Sequence, residues 1–176
     1  MPVILRGMTR SIQTSELQLT EADFAHLMAE RLPFAAMMGL EIEQFTASGV
    51  WMRSVYRDEF LRPGGTVAGP LMMGLADAAM YAAVLARIGP VELAVTTNLS
   101  INFLRRPLPG DVLGHARLLK LGKRLAVGEV SLFSDLPLHE RDAVGKGDGY
   151  FLALEATEPV AHVTSTYSIP PPEQRS

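Results

Sequence analysis

The 176-residue chain contains no cysteine. That excludes disulfides, thiolate metal sites and a cysteine nucleophile, and it fits a reducing cytoplasm. Charge excess is also lacking. Sixteen Lys and Arg stand against nineteen Asp and Glu, a formal net charge of -3, and the basic residues are spread along the chain. A general nucleic-acid binder carries a basic excess or stripe, so nucleic acid is not an expected partner. Long apolar runs are scarce. The stretch 69–86 alone approaches the length of a membrane span, and Asp77 interrupts it. No second span or basic flank accompanies it, so it reads as a buried core helix rather than a membrane anchor. The run Val3-Ile4-Leu5 is too short for a secretion signal, and Met8 is an alternative start. There is no G-x-S-x-G elbow, no H-E-x-x-H and no Walker loop. His26, His115, His139 and His162 are scattered without ligand spacing, so no metal is expected.

What is present is an ordinary globular mix, 48% hydrophobic and 20% charged. The length suits one domain. We read residues 1–19 as an extension, 20–170 as a single domain and 171–176 as a Pro-rich tail. Thr20 followed by Asp23 is a variant capping box opening a helix, with Phe24, Leu27, Met28 and Leu32 as its stripe and Pro33 at its end. Strands are expected over 40–45 and 49–57, joined by Thr46-Ala47-Ser48-Gly49. In the second, Val50, Met52 and Ser54 alternate with Trp51, Arg53 and Val55, the pattern of a half-exposed sheet. A Gly- and Pro-rich loop, 61–68, leads to a helix with Gly69 as cap and Pro70 as first helical residue, running to about Leu85. Strands follow over 92–105, 111–121, 124–134 and 160–169. The stretch 136–150 reads as a mobile excursion, and its Gly145-Lys146-Gly147 run lacks the context of a phosphate loop. Short turns favour antiparallel pairing. The expected class is therefore α+β: a curved antiparallel sheet wrapped around a long apolar helix, plus an N-terminal helix.

Four features are candidates for chemistry. Asp77 is the one charged residue between Arg62 and Arg87. A carboxylate in apolar surroundings must be bonded or serve a purpose; it is either a general base or a structural group tied to backbone or to an arginine such as Arg62. The start of the long helix, at Gly69, presents N–H groups that can polarise a carbonyl, or is a plain cap. Thr96 and Thr97 bring hydroxyls into an apolar strand, where they hold a water or simply suit a strand. The pairs Arg105-Arg106 and Lys123-Arg124, at strand ends, either grip phosphates or are solvated turn charges.

Two stretches, Leu61-Arg62-Pro63-Gly64-Gly65-Thr66-Val67-Ala68-Gly69-Pro70-Leu71 through Asp77, and Thr96-Thr97-Asn98 through Pro107 with Gly110-Asp111 and Gly122-Lys123-Arg124, resemble the hotdog-fold acyl-CoA thioesterases of the phenylacetate-degradation type. The resemblance covers about 40–169. It implies a hotdog fold, an acyl-CoA substrate with no separate cofactor, and a homodimer or dimer of dimers with sites at the interface. In that family an Asn precedes a His-Gly-Gly, and an acidic residue follows nine positions after the His. Asp77 falls at the acidic position and Gly69 at the first glycine, whose N–H polarises the thioester. Thr96 falls where a Ser or Thr of the partner subunit assists. Arg105, Arg106, Lys123 and Arg124 fall where basic residues meet CoA phosphates. Arg62 replaces the Asn, Ala68 the His and Pro70 the second Gly. Arg62 thus either pairs with Asp77 or holds an anionic part of the substrate. Met72 and Met73 are expected in the acyl pocket.

Three activities fit this pattern. The first is an acyl-CoA thioesterase with Asp77 as general base or nucleophile, the Gly69 N–H on the oxyanion and Thr96 orienting water. The second, motivated by Ala68 and Pro70, is a non-catalytic acyl-CoA binder. The third is a hydratase, which would call for an Asp–His pair that the sequence does not display.

Overall fold

A computed structural model describes residues 17–174. The Val3-Ile4-Leu5 run, Met8 and the last two residues of the tail lie outside the described residues.

Helix α1 (Glu21–Arg31) opens on the expected capping box: Thr20 Oγ1 accepts from the Asp23 N–H at 3.2 Å, and the Asp23 carboxylate accepts from the Thr20 N–H at 3.1 Å. Pro33 does not only end this helix. It starts a second short one, α2 (Pro33–Met37), because proline is preorganised for a first helical turn. Gly39, at φ 62°, turns the chain directly into β1 (Leu40–Phe45). Then come β2 (Val50–Ser54), a small hairpin of β3 (Leu61–Arg62) and β4 (Thr66–Val67) inside the expected loop, and the long α3 (Gly69–Ile88). The N-cap of α3 is Ala68 rather than Gly69, and the helix runs three residues past Leu85 to Ile88, where Gly89, at φ 83°, ends it. The rest is β5 (Val95–Phe103), β6 (Val112–Leu121), β7 (Leu125–Ser134), α4 (Leu138–Val144), α5 (Asp148–Glu155) and β8 (Ala161–Ser168).

The six main strands form one antiparallel sheet in the order β1-β2-β6-β7-β8-β5. Its inner face closes on α3, as the sequence predicts. Met52, Leu132 and Val163 meet Leu75, Ala79 and Met80, all fully or nearly fully buried. Two glycines let helix and sheet approach. A Cβ at Gly128 would lie 2.5 Å from Met80 Cε, and one at Gly114 would lie 3.1 Å from Leu132 Cδ2. Among the described residues α3 is the one helix long and apolar enough to cross a membrane, and 67% of its most apolar window is buried inside the protein.

The outer face of the sheet departs from expectation. Residues 136–150 are not a mobile excursion. They belong to α4 and α5, which lay Tyr150, Phe151 and Leu154 over Trp51, Leu113 and Phe133 as a second apolar cluster. Trp51 stacks on Phe151 at 4.8 Å and on His115 at 4.3 Å. Hence β2 is buried on both faces rather than half-exposed. The opposite edge differs: among the described residues β5 pairs only with β8, and Val95 and Phe103 are exposed on it.

Candidate active site

Asp77 lies midway along α3, partly buried, on the side facing the β5–β8 end of the sheet. Thr96 of β5 and Tyr167 of β8 are direct cross-strand partners, so one register places both beneath it. Thr96 Oγ1 donates to Asp77 Oδ1 at 2.5 Å, and Tyr167 Oη donates to the same oxygen at 2.8 Å. Tyr167 Oη also lies 2.8 Å from the Asp77 carbonyl oxygen. Burial, and then the Asp77 carboxylate, push the Tyr167 phenol well above its ordinary range, so it stays a donor. Tyr81, one turn along α3, donates to the Glu92 carbonyl at 3.1 Å, and burial with Glu92 pushes it up to about 12.

Asp77 borders a cavity of about 440 Å³. Its wall is mainly apolar, with Leu32, Phe34 and Met38 from the α1–α2 corner, Ala78 and Tyr81 from α3, and Val95 from β5, but the Arg31–Glu92 ion pair, 2.9 Å long, also lines it. Gly74 sits where a Cβ would collide with Met38 Sδ, which brings α2 close against α3.

Gly69 borders a different cavity, of about 410 Å³, with Arg62, Met72, Phe103, Arg105 and Arg106. Of the first three helical residues Gly69 alone offers an N–H, since Pro70 has none and that of Leu71 donates to Ala68 O at 3.1 Å. Eight residues at 1.5 Å each separate Gly69 from Asp77 by about 12 Å along the helix. One chain therefore does not present both groups to one carbonyl.

The remaining expected residues separate in the same way. Thr96 reaches Asp77 of its own chain, whereas the resemblance assigned it to the partner's side. Thr97 instead donates to Thr166 O at 3.1 Å. Arg62 is exposed beside Gly69, and among the described residues the carboxylate of Asp77 is bonded by Thr96 and Tyr167, not by Arg62. Ala68 caps α3 without a side-chain bond, and Pro70 and Met73 are exposed, with Met73 bordering neither cavity. Arg105 pairs with Glu158 at 2.6 Å and donates to Pro159 O at 3.1 Å, while Arg106 is exposed at the same cavity. Arg124 donates to Ile169 O at 3.0 Å, and Lys123 stands beside it in the β6–β7 turn. Along β8 the two basic pairs mark opposite ends, near Ala161 and near Ser168. Seven residues of strand put them about 23 Å apart.

Tyr167 and the α2 wall were not anticipated. The inward alternation Ala161, Val163, Ser165, Tyr167 marks Tyr167 as buried, but only the strand order β8-β5 brings it to Asp77.

A sheet closed over one long helix, with an acidic group midway along that helix, defines the hotdog class. The sequence profile of the thioesterase superfamily matches residues 64–137. A candidate thioesterase from Silicibacter sp. is 41% identical, with 90% of this chain and 97% of that one covered and a TM-score of 0.71. The chain belongs to the thioesterase superfamily. Two more distant structures share the fold: a thioesterase from Haemophilus influenzae (16% identity, 90% and 95% covered, TM-score 0.69) and a mutant of the phenylacetic acid degradation protein PaaI from Thermus thermophilus (23%, 78% and 99%, 0.58). Among curated protein sequences none matches significantly.

Proposed function

We propose that this protein is an acyl-CoA thioesterase of the phenylacetate-degradation type, acting as a homodimer that joins Asp77 of one chain to Gly69 of the partner subunit. Superfamily membership supports thioester hydrolysis as the general chemistry. The observation that carries the rest is the arrangement around Asp77: a carboxylate held through one oxygen, at the edge of a mainly apolar cavity large enough for an acyl group. The exposed β5 edge supports the dimer. Antiparallel pairing of two β5 edges about a two-fold axis near Leu99 would set the Thr96 end of one strand beside the Phe103 end of the other. Phe103 touches Gly69, so the two half-sites would meet.

In this reading the acyl group occupies the Phe34–Met38–Tyr81 cavity of one chain, and the CoA phosphates lie toward Arg106 of the partner subunit and Arg62 of the partner subunit, which border the Gly69 cavity. Asp77 either removes a proton from water, whose oxygen adds to the thioester carbon, or adds to that carbon itself. The developing oxyanion meets the N–H of Gly69 of the partner subunit. Collapse breaks the C–S bond, and the departing thiolate takes up a proton; on the direct route water then adds to the acyl–Asp77 anhydride, releasing the acid and the free carboxylate.

Thiol release from acetyl-, hexanoyl-, benzoyl- and phenylacetyl-CoA, compared between wild type and Asp77→Ala, tests the assignment. Turnover by the wild type alone is expected. Equal rates would remove Asp77 from the chemistry. Tight binding of these esters without turnover would make the protein a binder. A monomeric mass by light scattering would refute the shared site.

A further inference from the structure

We propose that Tyr167 is a positioning residue for Asp77, locking the carboxylate so that a single oxygen faces the substrate cavity. This rests on the thioesterase reading of Asp77. An aspartate on a helix has two side-chain torsions, and on a partly exposed face the helix itself does not select one orientation. Two donors do so here, and both choose the same atom. Thr96 approaches Oδ1 from β5 and Tyr167 approaches it from β8, at 2.5 and 2.8 Å. Among the described residues no donor reaches Oδ2. That oxygen keeps its lone pairs for a water proton or for the thioester carbon.

The placement of the phenol goes beyond what burial requires. A buried tyrosine hydroxyl needs one acceptor, whereas this one shares its single proton between two, the Asp77 carbonyl and Oδ1, each at 2.8 Å. Reaching the carboxylate as well ties the side chain of Asp77 to the position of its own peptide. The ring that delivers this bond is 2% exposed, pairs in the sheet with Thr96 on one side and Ala126 on the other, and leans on Tyr81 at 6.3 Å. A strand paired on both sides within the protomer thus aims the hydroxyl, while among the described residues the Thr96 strand has one neighbour until a partner subunit joins it. Tyr167 therefore fixes the carboxylate from within the protomer, alongside Thr96.

The test is Tyr167→Phe, which keeps the ring and removes only the hydroxyl. With hexanoyl-CoA and phenylacetyl-CoA as substrates, and the assay run well below the variant's Tm, kcat should fall about 10- to 100-fold, the scale of one hydrogen bond to a charged group. KM should stay within about twofold, because the acyl cavity is untouched. In a crystal structure of the variant, Asp77 should spread over more than one rotamer. An unchanged kcat, or a loss confined to KM, overturns the proposal. So does a single, unmoved Asp77 rotamer, whether or not the wild type hydrolyses a thioester. Wild-type turnover reports on the thioesterase reading by itself, so the two failures are distinguishable.

Discussion

Arg53 sits where period-two patterning points outward, yet its side chain is only 13% exposed. Its guanidinium bonds Glu43 through Nε, Asp111 and Asp135 through Nη1 at 2.8 and 2.9 Å, and Tyr150 Oη through Nη2 at 3.0 Å. Burial works against its charge, but the bonds to Glu43 and Tyr150 outweigh it and hold the group above its usual value. Replacing it with methionine, Arg53→Met, keeps the stem and strands three carboxylates. Asp135, 10% exposed, keeps Arg141 at 2.6 Å and the Tyr150 hydroxyl at 2.5 Å, so the loss is partial. Breaking a buried ion pair from one side costs about 3–5 kcal/mol. For a chain of this size the unfolding entropy is about 0.37 kcal/mol/K near 60 °C. The expected fall in Tm is therefore about 8–14 °C, read by circular dichroism at fixed protein concentration. Arg117→Ala is the control. Its partner Glu129 is at 2.8 Å, but Arg117 is 48% exposed, so about 0–1 kcal/mol and less than about 3 °C are expected. If Arg53→Met falls no further than Arg117→Ala, the cluster is a solvated surface network and the reasoning fails.

Gly128→Ala places a Cβ 2.6 Å from the Arg117 carbonyl and 2.5 Å from Met80 Cε, so overpacking of about 1–3 kcal/mol should lower the denaturation midpoint; an unchanged midpoint would mean that β7 and α3 are looser than described. Leu154→Ala, on a fully buried residue of the outer cluster, should cost about 2–5 kcal/mol by urea titration, whereas a surface excursion would lose almost nothing. His115 donates through Nδ1 to Glu155 at 2.7 Å while its Nε2 is buried and has no partner among the described residues. Burial lowers its pKa against the opposing pull of Glu155. The folded state thus binds this proton less readily than the unfolded one, so its stabilisation is present above about pH 6.5 and lost as pH falls below that. Tm measured at pH 7.5 and 5.5 should drop more for wild type than for His115→Gln, and equal drops would contradict the assignment.

Much of the architecture was legible because local chemistry and global fold agree. Thr20 and Asp23 form the capping box, Gly89 ends α3, and the turns at Gly110 and Gly122 separate strands whose bounds fall within a few residues of expectation. The α4–α5 layer was not legible. Gly145 and Gly147, at φ 72° and 89°, cut it into two short helices, neither long enough to show an apolar period. Arg53 was misplaced for the same reason, since its cover comes from that layer. At the site, the spacing of Gly69 from Asp77 was readable along one helix. Thr96 was expected to assist from the partner subunit, and within the chain it bonds Asp77. Tyr167 could not be found, because its meeting with Asp77 depends on which strands are neighbours.

The connection from β7 to β8 has a consequence for the order of folding. The β6–β7 hairpin closes through three residues, 122–124, whereas β8 waits on about 26, 135–160. Loop closure scaling as the logarithm of length adds about 2 kcal/mol to that second step. Among the described residues β5 has no neighbour but β8, so it joins later still. Both hydroxyls that hold Asp77 ride on this last pair of strands. The carboxylate is therefore seated only as the native state completes. Substitutions at Thr96 or Tyr167 should speed unfolding while leaving the refolding rate nearly unchanged.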